Sequence, residues 1–205
     1  MDKYFLPINY IIRVNNEHYD DTMNPNDHYQ KEVYVYVDEL MKKKNLSKII
    51  DIGCGSGFKL IKYLGKYETT GFETEPCISY LRKTYPLKKW IDSGKPEVSF
   101  SNVTNEKIDV IMASDVIEHI RDPDSLINFM KKFNSKYYLF STPCRQRLFE
   151  IGWRKSLLGP PENIAHVREW TFNEFKSYLS IHFDVIDSKL GIDQIECQWH
   201  LCVKK

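Results

Sequence analysis

The chain lacks any C-x-x-C pair: its five cysteines, Cys54, Cys77, Cys144, Cys197 and Cys202, are odd in number and widely scattered. Such a set fits free thiols in a reducing compartment, so an intracellular, cytoplasmic protein is expected. An excess of charge of one sign is lacking too. Lys and Arg number 29 against 28 Asp and Glu, a formal net charge of +1, which offers no basic field to a nucleic acid and no acidic excess to keep the chain unfolded. Nowhere do eighteen apolar residues run together, and the apolar stretch in MDKYFLPINYIIRVNNEHYDD is soon broken by Arg13 and acids. Neither a membrane span nor a signal peptide is expected. Repeats and low-complexity tracts are missing as well.

What is present suits one domain over residues 1–205, with 42% hydrophobic residues to build a single core. From Lys48 onward, apolar β-branched runs alternate with amphipathic stretches, the rhythm of βαβ units in a mainly parallel sheet. Strands are predicted at KIIDI, ETTGFE, KIDVIMAS, KYYLFST, HFDVIDSKL and QWHLCVKK, and helices near 31–44, 57–65, 74–84, 123–133 and 171–180. The third strand is either KKWID (88–92) or EVSFSNV (97–103). Asp122-Pro123 supplies an N-cap with proline at N1, and Thr171 with Glu174 a capping box. Residues 1–46 read as an N-terminal cap. Residues 143–168, rich in Pro, Gly and basic side chains, interrupt the rhythm and read as a lid or loop on the substrate side.

Residues 49 to 57 read IIDIGCGSG. A strand ending at Asp51-Ile52, a glycine-rich turn and a helix from near Phe58 would place backbone N–H groups at the mouth of a parallel sheet. Glycine there permits positive φ and close approach by a ligand. A dinucleotide fingerprint asks for G-x-G-x-x-G, and Gly53-Cys54-Gly55-Ser56-Gly57 departs from that spacing, which argues against a nicotinamide cofactor. With Asp51 ahead of it, the turn resembles motif I, D-x-G-x-G-x-G, of the class I S-adenosylmethionine-dependent methyltransferases. KIDVIMASDVIEHIRDPDSL resembles the fourth-strand motif of the same family, and HVREWTFNEFKSYL, HFDVIDSK and QWHLCVKK look like its C-terminal part.

The resemblance implies an α/β, Rossmann-like, mainly parallel sheet with helices on both faces and an antiparallel last strand, and S-adenosyl-L-methionine as cofactor. It assigns Asp51, Gly53, Cys54, Gly55 and Gly57 to the cofactor turn. Glu73, at the end of the second strand, is expected to accept both ribose hydroxyls, through two charge-assisted bonds of roughly 1.5–3 kcal/mol each; Glu75 is the neighbouring alternative. The adenine contact falls to Asp92 or Asn102, according to which segment is the third strand. Asp115 is expected near the methionine end, and Gln30 could fold over the methionine carboxylate.

Methyl transfer from a sulfonium needs alignment and a dry cleft, and a hydroxyl acceptor adds a use for a base. His119 and His166 are the candidate catalytic residues. Asp115-x-x-Glu118-His119 also resembles the E-x-x-E-H of ubiquinone-pathway and small-RNA 2′-O-methyltransferases, which holds a divalent metal, with His166 as a further possible ligand. Its first position is aspartate here, and no metal is assigned. LLGPPENIAHVREWT and the EVY helix look like methyltransferases of glycans and other surface sugars. A small-molecule or glycan acceptor with a hydroxyl is therefore expected, rather than a nucleic acid or a membrane. Trp153, Trp170, Phe149, Arg145, Arg147 and Arg154 are read as an aromatic and basic rim. The alternatives are a metal-assisted RNA or quinone O-methyltransferase and a non-catalytic cofactor-binding subunit.

Overall fold

The aliphatic runs form strands β1 (Lys48–Ile52), β2 (Glu68–Glu73), β3 (Lys89–Asp92), β4 (Lys107–Ser114), β5 (Asn134–Pro143), β6 (Phe183–Leu190) and β7 (Cys197–Lys204). They make one seven-stranded sheet in the order β3-β2-β1-β4-β5-β7-β6. The first five run parallel, and β7 lies antiparallel between β5 and β6. The structure, a computed structural model, describes residues 1–17, 20–22, 26–94 and 106–205. KKWID therefore supplies the third strand; EVSFSNV and Asn102 lie outside the described residues.

Strands buried on both faces read as continuous apolar runs, because side chains alternate between two cores. Ile49 joins Val37 and Met41 of helix α1 (Lys31–Lys44) and Leu81 of α2 (Cys77–Thr84). Ile50 and Ile52 face the other way, toward Ile127 and Met130 of α3 (Pro123–Lys131). Helix α4 (Arg145–Glu150) was not expected within the 143–168 excursion. Phe175 and Leu179 of α5 (Phe172–His182) complete the second core. The segment predicted as a helix at 57–65 holds a π-helical turn, Leu60–Leu64. No helix among the described residues is long and apolar enough to cross a membrane.

Both predicted caps form. Asp122 accepts from the Asp124 N–H, and Thr171 and Glu174 make a reciprocal capping box, each worth about 1 kcal/mol. The chain leaves β1 for β2 on one side and returns to β4 on the other, so the carboxyl ends of β1 and β4 flank the topological switch point, where α/β sheets bind ligands.

Candidate functional site

A cavity of about 970 Å³ opens at that switch point. The turn after β1 contributes Gly53, Cys54 and Gly55, β2 ends in it at Glu73, and Ser93 follows β3. Its other half is built by Asp115, Glu118 and His119 after β4 and by Trp153, Arg154 and His166 from the 143–168 excursion.

The glycine turn requires its glycines on two counts. Gly53 and Gly55 have φ of +70° and +56°, a region that strains an L side chain. A Cβ on Gly53 would also come within 2.5 Å of Val116, and one on Gly55 within 2.6 Å of the Asp21 carboxylate. Gly57 packs against Leu81 and Trp90 instead of lining the cavity. The turn holds Glu73 in place: Gly55 N–H donates to Oε2 at 2.8 Å and Thr74 N–H to Oε1 at 2.8 Å. Glu75 is exposed and bonds Ser79 at the start of α2, so of the two acids only Glu73 faces the cavity. Asp92 is buried and accepts from Gly94 N–H at 3.0 Å, while its neighbour Ser93 lines the cavity.

Beneath the turn, the Tyr34 hydroxyl donates to Asp51 Oδ2 at 2.7 Å. Burial lifts the Asp51 carboxyl from 3.8 to about 7, against the relief that Tyr34 and Lys59 give. Asp115 sits at φ +53°, its Oδ1 accepting from Ser141 Oγ at 2.7 Å. Burial holds this carboxyl too above its ordinary value, although Ser141 and Gln30 both hydrogen-bond to it. Gln30 thus reaches the cavity from the start of α1. Asp21 accepts from the Ser56 N–H and hydroxyl at 3.1 and 2.9 Å, laying part of the N-terminal segment across the glycine turn.

On the other side, Val167 N–H donates to the Glu118 carbonyl at 2.8 Å and pins the excursion to the short 3-10 turn Ile117–His119. That contact brings His166 beside His119, with ring centroids 4.9 Å apart. Glu118, His119 and His166 offer ligand atoms all within 4.8 Å of one another. The Glu118 side chain is buried, and neither carboxylate oxygen has a hydrogen-bond partner of good geometry. Burial first, and the nearby Asp115 second, push its carboxyl well above its ordinary value, against relief from its own backbone N–H and from the Thr142 hydroxyl, neither of which makes a well-formed hydrogen bond to it. His119 Nδ1 lies 2.9 Å from the Ala165 carbonyl, an acceptor, so that nitrogen carries the proton and Nε2 the lone pair.

The predicted basic rim does not exist as such. Arg145 and Arg154 are each 2% exposed, held inward by ion pairs with Glu174 and Glu169. Trp170 is fully buried, its Nε1 donating to the Tyr4 carbonyl at 2.8 Å. Trp153 is half exposed at the cavity, whereas Arg147 lies in a separate depression. Tyr34, Asn163, Glu169 and Glu196 line the cavity and were missed. For Glu169 a signal existed in H-V-R-E-W, three residues past His166.

A family profile described as a methyltransferase domain matches residues 26–188. None of the curated proteins matches the chain. Solved structures that resemble it include the methyltransferase domain of the bacterial protein CtHen1-C, at 20% identity over 85% of this chain and 98% of that one, with a TM-score of 0.63. The small RNA methyltransferase HEN1 is 18% identical over 92% of this chain and 26% of its own, with a TM-score of 0.65. The N-methyltransferase NodS from Bradyrhizobium japonicum WM9, solved with S-adenosyl-L-homocysteine, is 16% identical over 91% of this chain and 93% of that one, with a TM-score of 0.61. At these identities the likeness is one of fold.

Proposed function

The chain belongs to the S-adenosylmethionine-dependent methyltransferases, and within that activity we propose that it methylates a hydroxyl of a small, neutral, sugar-like acceptor with the help of a divalent cation. S-Adenosyl-L-methionine is the methyl donor; Glu73 takes its ribose hydroxyls, Gly53, Cys54 and Gly55 its methionine side, with Asp51 and Asp115 behind. In the transfer the sulfonium C–S bond breaks as the acceptor oxygen bonds the methyl carbon, and the hydroxyl proton leaves to a base. Glu118, His119 and His166 would hold the cation.

The observation that carries the reading is Glu118. A buried carboxylate with no well-formed hydrogen bond at either oxygen is costly, and two imidazoles beside it make a donor set that fits magnesium, manganese or zinc. A cation there would supply Lewis acidity to an acceptor oxygen. A cation-free reading, with His166 as base, is favoured by the Glu169 carboxylate 2.7 Å from its Nδ1.

Charge supports the choice of acceptor. Among the described residues lining the cavity, eight are acids and two, Lys59 and Arg154, are permanent cations. A polyanion such as RNA would meet repulsion in such walls, whereas a neutral polyol would find acceptors for its hydroxyls and Trp153 for its face. Five buried free thiols support a reducing, cytoplasmic setting.

Thermal unfolding tests the reading. S-Adenosyl-L-homocysteine at a hundredfold excess over its Kd should add about 2.7 kcal/mol, or roughly 5–10 °C for a chain of this size. Manganese should add a further shift that Glu118→Gln abolishes. Equal manganese shifts in both proteins would remove the cation. Methylation of RNA 3′ ends and of no sugar in an acceptor screen would overturn the acceptor class.

A further inference from the structure

His166 stands in a chain of hydrogen bonds that leaves its ring one way to carry its proton. Ala165 N–H donates to Asn163 Oδ1 at 2.9 Å, which fixes the orientation of that carboxamide. Its nitrogen therefore faces His166 Nε2, 3.1 Å away, and can only donate. On the other edge of the ring, Nδ1 lies 2.7 Å from Glu169 Oε1, which as a carboxylate oxygen can only accept. The second oxygen, Oε2, is taken by Arg154 in an ion pair whose side chains are 1% and 2% exposed. Tyr10 closes the arrangement: its hydroxyl accepts the Glu169 N–H at 3.0 Å, and its ring lies under the Arg154 guanidinium.

We propose that Glu169 is the positioning residue of the acceptor half: by accepting from His166 Nδ1 while Arg154 occupies its other oxygen, it locks the Nδ1–H tautomer and keeps the lone pair on Nε2. Asn163, donating to that lone pair, reinforces the same tautomer in the resting fold and gives way to a cation or to an acceptor proton. The proposal rests on the reading that His166 serves the acceptor, as cation ligand or as base, since both roles need the same lone pair.

Arg154 gives the idea its sharp consequence. In Glu169→Gln the new side chain keeps one acceptor and gains a donor. Arg154 claims the acceptor, the amide N–H turns toward His166 Nδ1, and the proton moves to Nε2, from which the donating Asn163 carboxamide swings away. Removing the competing cation in Arg154→Met/Glu169→Gln frees the carboxamide oxygen for Nδ1–H and restores the original tautomer. A purely structural ion pair predicts the reverse order, with the double variant at least as impaired as the single one.

The test uses the full chain with ¹⁵N-labelled histidine, His166→Ala assigning the resonances. Two-bond ¹H–¹⁵N spectra should show His166 Nε2 unprotonated in the wild type, protonated in Glu169→Gln and unprotonated again in the double variant. Manganese titrated by calorimetry should bind Glu169→Gln roughly 10–100-fold more weakly, the double variant about as well as the wild type, and Asn163→Ala no more weakly. An unprotonated Nε2 in Glu169→Gln, or a double variant no better than the single, overturns the proposal. If wild type and His166→Ala bind manganese alike, the cation reading falls and the spectra alone decide the role of Glu169. Should Glu169→Gln fail to fold, Asn163→Ala/Arg154→Met/Glu169→Leu takes its place: with neither the acceptor at 169 nor the Asn163 donor on Nε2 it should show mixed tautomers, while Asn163→Ala alone keeps the Nδ1–H form, and an unmixed Nδ1–H form in the triple variant would overturn the proposal.

Discussion

Tyr34 and Asp51 meet in a 2.7 Å hydrogen bond beneath the glycine turn, and the remaining carboxylate oxygen, Oδ1, is buried with no partner. One hydrogen bond does not offset the loss of water, which is why burial raises this carboxyl from 3.8 to about 7. A carboxyl whose folded pKa is raised stabilises the fold most below its unfolded pKa and loses that contribution as pH climbs through the folded one. Stability should therefore fall between about pH 4 and 7, by on the order of 4 kcal/mol at most from this group. Asp51→Asn should flatten the melting temperature over that window; an unchanged slope would mean that Asp51 is ionised throughout.

The same carboxyl links protons to cofactor binding. S-Adenosylmethionine brings a sulfonium and an ammonium, and cations favour the ionised acid, so binding at pH 6 should release a fraction of a proton. Calorimetry in two buffers of different ionisation enthalpy measures that fraction, and Asp51→Asn should remove it. Release that survives in the variant points to an acid that lines the cavity instead.

Glu73 carries a different load. Its two oxygens already accept from the Gly55 and Thr74 amides, so the carboxylate is aimed before any ligand arrives. Losing two charge-assisted ribose bonds of about 1.5–3 kcal/mol each should weaken S-adenosyl-L-homocysteine by a hundredfold or more in Glu73→Ala, with the far-ultraviolet spectrum unchanged. Wild-type affinity in that variant would move the ribose elsewhere.

The strands were legible because their chemistry is local. KIIDI and KIDVIMAS are apolar runs and ETTGFE a short β-branched and aromatic one, each bounded by breaks, and the observed β1, β2 and β4 have those bounds. The choice between KKWID and EVSFSNV needed tertiary knowledge: Trp90 packs against Gly57 and Gly71 and donates to the Tyr85 carbonyl at 2.9 Å, contacts that periodicity does not carry. The site divides in the same way. Gly53, Gly55 and Glu73 follow from a turn and the next strand end, whereas Tyr34 meets Asp51 across 17 residues and His119 meets Ala165 across 46. The arginine rim was misread for the same reason, since Arg145 and Arg154 turn inward only because Glu174 and Glu169 arrive from later in the chain.

Glu118 sets stability against function. Its unpartnered, buried carboxyl is held well above the usual range by burial and by Asp115, so it weakens the cation-free fold increasingly as pH rises toward and through its folded pKa. Replacing a buried, uncompensated acid with an apolar side chain of similar reach should raise stability by about 1–3 kcal/mol. For a chain of this size that corresponds to roughly 2–12 °C in Tm. Glu118→Leu should thus melt higher than wild type in chelator, more so as pH rises, and lose the stabilisation by manganese that wild type shows. Its affinity for S-adenosyl-L-homocysteine should be unchanged, because Glu73 and the glycine turn lie on the other side of the cavity. A variant that melts lower in chelator would mean that Glu118 has a stabilising partner in solution, and the argument for a cation at this position would fail with it.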